Sequence, residues 1–221
     1  VTMDEMIHHT RAVTKGTKNA LVVGDMPFMS YQASTTEAMH NAARFLQEGG
    51  AQTIKLEGGV SIAPTVERLV SAGIPVMGHI GLTPQSVHQL GGYKVQGKTL
   101  KGAVKLMEDA RSLEEAGAFA IVLECVPRSL ALLITERVSI PTIGIGAGEG
   151  CDGQVQVFHD ILGFYTEFTP KHTKRFANLA DNISIALAKY SQEVKQQTFP
   201  SQEHSYHLKQ EVLSELQSQV I

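Results

Sequence analysis

Short apolar runs of strand length recur along the chain, and segments of helix length separate most of them. The predicted strands are residues 20–25, 53–56, 74–77, 118–123, 140–145 and 154–158. Continuous apolar strands that alternate with helices pair in parallel and are covered on both faces. This pattern restricts the chain to two architectures, an open doubly wound α/β sheet or a closed α/β barrel.

The segments around these strands have helical spacing. Helices are predicted over residues 36–47, through Val66, Leu69 and Val70, and over residues 101–116 and 130–137. Thr2 and Glu5 have capping-box spacing, which predicts that a first helix begins there. A later helix is predicted from Thr169. The C-terminal tail has apolar residues at helical spacing, which predicts an amphipathic helix that docks on a neighbouring chain: Leu208, Val212, Leu213, Leu216 and Val220.

Polar residues stand where four of the predicted strands end: Asp25, Glu57, His79 and Glu124. TIM-barrel enzymes place their chemistry at the C-terminal ends of the strands, so this placement favours a (β/α)8 TIM barrel. About six strand units are visible where a complete barrel has eight, which predicts that the first one or two βα units are lacking. The expected domains are an N-terminally incomplete barrel over residues 1–207 and a helical tail over residues 208–221.

Composition narrows the class of partner. The 221 residues carry a net charge of -3 with scattered lysines, which argues against nucleic acid. No apolar run reaches the length of a membrane span, and the N-terminal residues lack the pattern of a signal peptide. Cys125 and Cys151 form neither a CxxC pair nor a zinc-type spacing. The expectation is a reduced, cytoplasmic protein that binds a small molecule.

The strand-end carboxylates of Asp25 and Glu57 make an oxygen ligand set that suits Mg²⁺. A helix cap is the alternative for Asp25, and a turn residue is the alternative for Glu57. Lys55 stands two residues before Glu57, so both side chains share one face of the strand. An inward lysine there could hold a substrate carboxylate, whereas a solvated surface lysine is the common alternative.

Glu124 follows the most apolar strand, Ala120-Ile121-Val122-Leu123, and a carboxylate at a barrel mouth suits proton transfer. An ion pair or a helix-entry cap is its alternative role. His79 is either a site residue or an ordinary hydrogen-bonding histidine. The glycine string 144–148 lacks phosphate-loop spacing and predicts a close-packed turn. Residues 91–98 are interpreted either as a mobile lid or as a solvated loop, and Cys125 as a packing residue.

Six strings in this order resemble the ketopantoate hydroxymethyltransferase family: residues 25–29, 55–59, 78–86, 91–97, 123–127 and 143–148. The resemblance extends to about residue 207. It implies transfer of a hydroxymethyl group from 5,10-methylenetetrahydrofolate to 3-methyl-2-oxobutanoate, giving ketopantoate for pantothenate and coenzyme A synthesis. It also implies a homo-oligomer, with a decamer as one form.

The same resemblance implies the residue roles. Asp25 and Glu57 match metal positions, the latter directly or through water. Lys55, Asp25 and His79 match the residues that bind the keto acid. Glu124 matches the catalytic proton acceptor, and His79 is also implied to be catalytic.

The departure from the family lies at the N-terminus, where members have two further strands that carry a Thr-Ala-Tyr-Asp-like string and a Gly-Asp-Ser string. Neither string occurs in this chain. One alternative is therefore a non-catalytic truncated remnant. Another is a Mg²⁺-dependent carbon–carbon lyase of 2-keto acids from the isocitrate lyase and phosphoenolpyruvate mutase superfamily, which would need a catalytic cysteine in a loop.

Overall fold

The first compact unit of the protein is built on one parallel sheet. The computed structural model describes residues 1–219, and the chain divides into the units Val1–Gln156 and Val157–Ile221. The strands of the first unit are β1 Val23–Asp25, β2 Thr53–Glu57, β3 Val76–Gly81, β4 Ala120–Glu124, β5 Thr142–Ile145 and β6 Gly153–Gln154. They pair in the order β1-β2-β3-β4-β5-β6, and each pair is parallel.

Helices connect the strands of this unit. They are α1 Met3–Gly16, α2 Thr35–Gln47, α3 Ala63–Ser71, α4 Leu100–Glu115 and α5 Arg128–Thr135, with 3-10 turns at Val60–Ile62 and Pro84–Ser86. The predicted capping box starts α1, because Thr2 Oγ1 accepts from the Glu5 amide while the Glu5 carboxylate accepts from the Thr2 amide. Side-chain caps from Ser34 and Thr99 start α2 and α4.

The strand order distinguishes between the two predicted architectures. A doubly wound sheet reverses its strand order at a switch point, whereas this sheet advances by one strand at every step. Right-handed crossovers that always advance in one direction leave the connecting helices on one face. The helices pack closely on that face, since a Cβ at Gly24 would meet Phe45 of α2 and one at Gly78 would meet Leu113 of α4.

Alternation along the strands separates an apolar face from a charged face. On β2, Ile54 and Leu56 are fully buried in the core under the helices, so Lys55 and Glu57 point to the opposite face. The register then sets Asp25 beside Lys55, Glu57 beside His79, and Gly81 beside Glu124. We call the face opposite the helices the charged face. It carries Asp25, Lys55, Glu57, His79 and Glu124.

The second unit contains α6 Phe158–Ile161, α7 Leu179–Lys195, a 3-10 turn at Gln202–His204 and α8 Gln210–Gln219. The predicted strand 154–158 is wrong beyond Gln154: β6 is a two-residue edge strand with one neighbour, and Phe158 already begins a helix. The helix predicted from Thr169 begins only at Leu179. Thr169 precedes Pro170, which disfavours helical backbone at that residue.

The predicted tail helix is present as α8 over its described part. Val220 and Ile221 lie outside the described residues, and both the docking of the tail and the domain boundary at residue 207 stay predictions. Within residues 1–219, no helix combines the length and the apolar character needed to cross a membrane.

Candidate active site

Lys55 is the centre of a charged cluster at the C-terminal ends of β1, β2 and β3. Its Nζ lies 2.8 Å from Asp25 Oδ1, 3.6 Å from Glu57 Oε1 and 3.2 Å from His79 Nδ1. The Lys55 side chain is only 15% exposed, so it is not the solvated surface lysine of the alternative interpretation. Two carboxylates and an imidazole therefore face one ammonium group in a largely enclosed position.

His79 joins this cluster to Glu124. The imidazole is buried, and its Nε2 lies 3.2 Å from Glu124 Oε2. An ammonium group can only donate hydrogen bonds, so His79 Nδ1 accepts from Lys55 and the ring proton of the neutral tautomer resides on Nε2. That proton faces the Glu124 carboxylate, although the contact lacks good hydrogen-bond geometry. The contacts run from Lys55 through His79 to Glu124.

The Glu57 carboxylate is buried and held from two sides. Its Oε2 accepts the backbone N–H of Gln85 at 2.9 Å, while its Oε1 faces Lys55 and lies 3.8 Å from His79 Nδ1. A buried carboxylate is costly unless charge and hydrogen bonds compensate it, and these contacts supply both. Glu57 is thus fixed in orientation and is more than a turn residue before two glycines.

Tyr31 and Gln85 belong to the same network. Neither residue stood out in the sequence as a candidate for the site. The Tyr31 hydroxyl lies 3.0 Å from Glu57 N, 3.1 Å from Glu57 O and 2.9 Å from Gln85 Oε1. Burial raises the pKa of Tyr31 well above its ordinary value, so the hydroxyl keeps its proton and can donate. Gln85 lies within one of the six strings and Tyr31 lies two residues after another, which is the signal that could have found them.

The donor chemistry of the charged face suits a hard cation. Asp25 Oδ1 is buried and makes no well-angled hydrogen bond despite its short distance to Lys55 Nζ. No group of three or more His, Cys, Asp or Glu residues within 1–219 is arranged to hold a metal. Mg²⁺ is commonly bound through one or two carboxylates with water and substrate completing its shell, so the Asp25 and Glu57 pair fits it.

An apolar strip continues the charged face toward β5. Lys55 is in register with Met77, His79 with Val122, and Glu124 with Ile145. Ala120 extends the first of these rows, and Ile143 extends the second. The face therefore places cationic and acidic groups beside branched aliphatic side chains, a combination that suits a small anion with a branched hydrocarbon group.

Cys125 follows Glu124 in the left-handed backbone region, with φ of 48°. Its N–H donates to Ile145 O, and its carbonyl accepts from Gln96 N, which anchors one end of the glycine-rich segment 91–98 beside the site. Burial, and then the charge of Glu124, raise the pKa of the Cys125 thiol. The thiol is therefore disfavoured as a nucleophile.

The glycine string forms a packed turn. Gly148 has φ of 81°, and a Cβ there would lie 2.7 Å from Arg128 Cγ. Gly144 packs in the same way against Cys151 and Gln154.

Relatives of known description match nearly the whole chain. Residues 1–202 match the family described as ketopantoate hydroxymethyltransferase. The 3-methyl-2-oxobutanoate hydroxymethyltransferase of Carboxydothermus hydrogenoformans is 62% identical over 216 residues, which cover 98% of this chain and 78% of that protein. A protein of the same description from Dehalococcoides mccartyi is 59% identical over 221 residues, covering 100% of this chain and 79% of that protein.

Solved structures of low sequence identity share the fold. A candidate phosphonomutase from Burkholderia cenocepacia J2315 aligns with a TM-score of 0.51 at 15% identity, covering 89% of this chain and 79% of that chain. An oxaloacetate acetylhydrolase aligns with a TM-score of 0.50 at 10% identity, covering 90% of this chain and 67% of that chain. At these identities the likeness concerns the fold alone.

Proposed function

Because the chain belongs to the ketopantoate hydroxymethyltransferase family, we propose that it transfers a hydroxymethyl group from 5,10-methylenetetrahydrofolate to 3-methyl-2-oxobutanoate. The products are ketopantoate, also called 2-dehydropantoate, and tetrahydrofolate. The observation that carries the proposal is the line of contacts from Lys55 through His79 to Glu124. It connects an anion-binding group with a proton-accepting group through a single imidazole.

The keto acid is held by charge at one end and by apolar contact at the other. Lys55 binds the substrate carboxylate. This carboxylate replaces one of the two acidic side chains, Asp25 or Glu57, that contact the Lys55 ammonium in the present structure. His79 presents its Nε2–H to the keto oxygen, or to the hydroxyl oxygen of the product. Val122 and Ile143 continue the row of His79 on the same face and accommodate the isopropyl branch.

Glu124 carries the proton. Its carboxylate takes the C3 proton of 3-methyl-2-oxobutanoate, and the resulting enolate carbon attacks the methylene carbon carried by the folate. The new C–C bond forms as the first C–N bond to the folate breaks, and water then displaces the second nitrogen and supplies the hydroxyl group. The proton taken from C3 by Glu124 and one proton of that water go to the two folate nitrogens, which gives tetrahydrofolate. Glu124 Oε2 lies 3.2 Å from His79 Nε2, so the proton-accepting carboxylate is next to the group that holds the keto oxygen.

Asp25 and Glu57 would hold Mg²⁺, with Asp25 also contacting the keto acid. The bound cation would supply positive charge against the developing enolate oxygen. Asp25 at the end of β1 and Glu57 at the end of β2 both lie close to Lys55 Nζ, so the two carboxylates could share one cation once the ammonium has turned to the substrate.

Finer features of the proposal go beyond this site. The sequential parallel sheet with helices on one face supports a TIM barrel in which these six strands are consecutive units. A cytoplasmic homo-oligomer, with a decamer as one form, is proposed from the family membership. Size-exclusion chromatography with light scattering measures the oligomeric state.

The rival carbon–carbon lyase is not favoured, because it would need a reactive cysteine while burial raises the pKa of the Cys125 thiol. One assay distinguishes the hydroxymethyltransferase from the lyase and from a non-catalytic remnant. The purified chain with Mg²⁺, 3-methyl-2-oxobutanoate and 5,10-methylenetetrahydrofolate should form ketopantoate in a folate-dependent way. Cleavage of a 2-keto acid without folate would support the lyase, and binding without turnover would support a non-catalytic remnant.

A further inference from the structure

Gln85 contacts the segments that carry both candidate metal ligands. Its backbone N–H donates to Glu57 Oε2 at 2.9 Å, and its side-chain Nε2 donates to the Met26 carbonyl at 2.8 Å. Met26 directly follows Asp25, and its own N–H donates to Lys55 O at 3.1 Å. Met26, the residue after Asp25, is therefore held by β2 through its N–H and by Gln85 through its carbonyl.

Tyr31 fixes the orientation of the Gln85 amide. Gln85 Oε1 accepts from the Tyr31 hydroxyl at 2.9 Å and from Gln32 Nε2 at 3.0 Å, which leaves Nε2 to donate to Met26. The Tyr31 hydroxyl in turn accepts from Glu57 N. Tyr31 is 2% exposed, so water cannot readily replace these bonds.

From these contacts we propose that Gln85 is a positioning residue, locked by Tyr31, that sets the separation of the Asp25 and Glu57 carboxylates. Partners that orient metal ligands typically change metal affinity or activity by about 10- to 100-fold when they are removed. The inference rests on the proposed function for the identity of the cation. It goes beyond that function because it gives a role to a residue that is assigned contact with neither the metal nor the substrate.

The test measures metal binding directly in the purified chain. Mn²⁺ is titrated as a spectroscopic substitute for Mg²⁺ by electron paramagnetic resonance, with saturating 3-methyl-2-oxobutanoate and no folate. Gln85→Met keeps the side-chain length but removes the three hydrogen bonds of the side-chain amide, and Tyr31→Phe removes only the hydroxyl oxygen. Gln89→Met is the matched control, because Gln89 is exposed and lies four residues further along the same loop.

The proposal predicts that Q85M and Y31F each weaken Mn²⁺ binding by about 10- to 100-fold, while Q89M leaves it unchanged. Parent-like Mn²⁺ affinity in a folded Q85M would overturn it, and if Q85M does not fold, parent-like affinity in Y31F does so. Thermal melting separates a general loss of stability from a selective loss of affinity. A parent that binds Mn²⁺ but forms no ketopantoate would refute the proposed function and leave the positioning role intact.

Discussion

The two faces of β2 differ sharply in burial partners and charge. Ile54 and Leu56 are completely buried against helices, whereas Lys55 and Glu57, their neighbours along the chain, carry opposite charges on the other face. Burying the first pair stabilises the fold, since full burial of such a side chain contributes about 1.5–3 kcal/mol. Enclosing the second pair costs desolvation, which their mutual contact and their contacts with Asp25, His79 and the Gln85 N–H offset.

The five-residue strand β2 therefore serves two purposes, stability and chemistry, that single substitutions can separate. Changes on the helix face should lower stability and leave the chemistry of the folded fraction intact. Changes on the charged face should alter binding or turnover more than they alter the fold. The predictions below test this separation, beginning with the largest expected effect.

Glu124→Gln should lower turnover by about 10²- to 10⁴-fold, because the amide cannot accept the substrate proton. Binding of Mg²⁺ and 3-methyl-2-oxobutanoate should stay close to that of the parent. Steady-state ketopantoate formation and calorimetric titration measure the two quantities, and Glu67→Gln on the exposed side of α3 is the control. Surviving turnover would remove Glu124 as the base, and collapse of metal binding would make it a ligand.

Leu56→Ala tests the helix face of β2. It should lower the free energy of unfolding by about 2–5 kcal/mol, because it leaves a cavity beneath the helices. Denaturant titration followed by circular dichroism measures the change, with Leu100→Ala as the control since Leu100 is 83% exposed. Parent-like stability, or a folded variant without turnover, would break the distinction between the faces.

Asp25→Asn and Glu57→Gln keep side-chain size but remove a charge from the proposed cation site. Each should weaken Mn²⁺ binding by roughly 10- to 100-fold, since affinity depends on the charge and placement of the ligands. Titration by electron paramagnetic resonance measures it without recourse to turnover. Should both variants keep the magnesium dependence of the parent, neither residue belongs to the metal site.

Cys125→Ser should have the smallest effect, leaving turnover within a few-fold of the parent. Burial raises the pKa of the Cys125 thiol, so at a given pH less thiolate is present than for an ordinary cysteine, and alkylation should accelerate only above the usual thiol range. Timed iodoacetamide labelling with mass spectrometry follows Cys125 separately from Cys151. Loss of turnover by more than about 100-fold would revive the lyase reading.

The strand ends were predictable because one rule connects sequence to place. Parallel strands end at a common edge, so a polar residue that stops an apolar run lies near others that do the same. The parallel α/β architecture follows from the same runs. Asp25, Glu57 and Glu124 were placed in this way, and Lys55 by its alternation with Glu57. His79 was expected beyond the end of a strand at Met77, but β3 continues to Gly81 and His79 lies within it.

The contacts that orient these residues were not predictable from periodicity. The Tyr31 hydroxyl reaches Glu57 across 26 positions and Gln85 across 54. Tyr31 and Gln85 lie outside the regular strands, where the direction of a side chain does not follow from a repeating pattern in the sequence. The short β6 was overextended for a related reason, since pairing to a single neighbour, and not composition, decides where an edge strand ends.

The chemistry proposed for the charged face depends on one step, the removal of the C3 proton of the keto acid by Glu124. It is tested most directly by incubating the protein with Mg²⁺ and 3-methyl-2-oxobutanoate in D₂O without folate, and following the C3 proton by NMR. The account predicts magnesium-dependent exchange by the parent and a rate lower by about 10²-fold or more for Glu124→Gln. Exchange at the parental rate in that variant, or none in a parent that still forms ketopantoate, would contradict it.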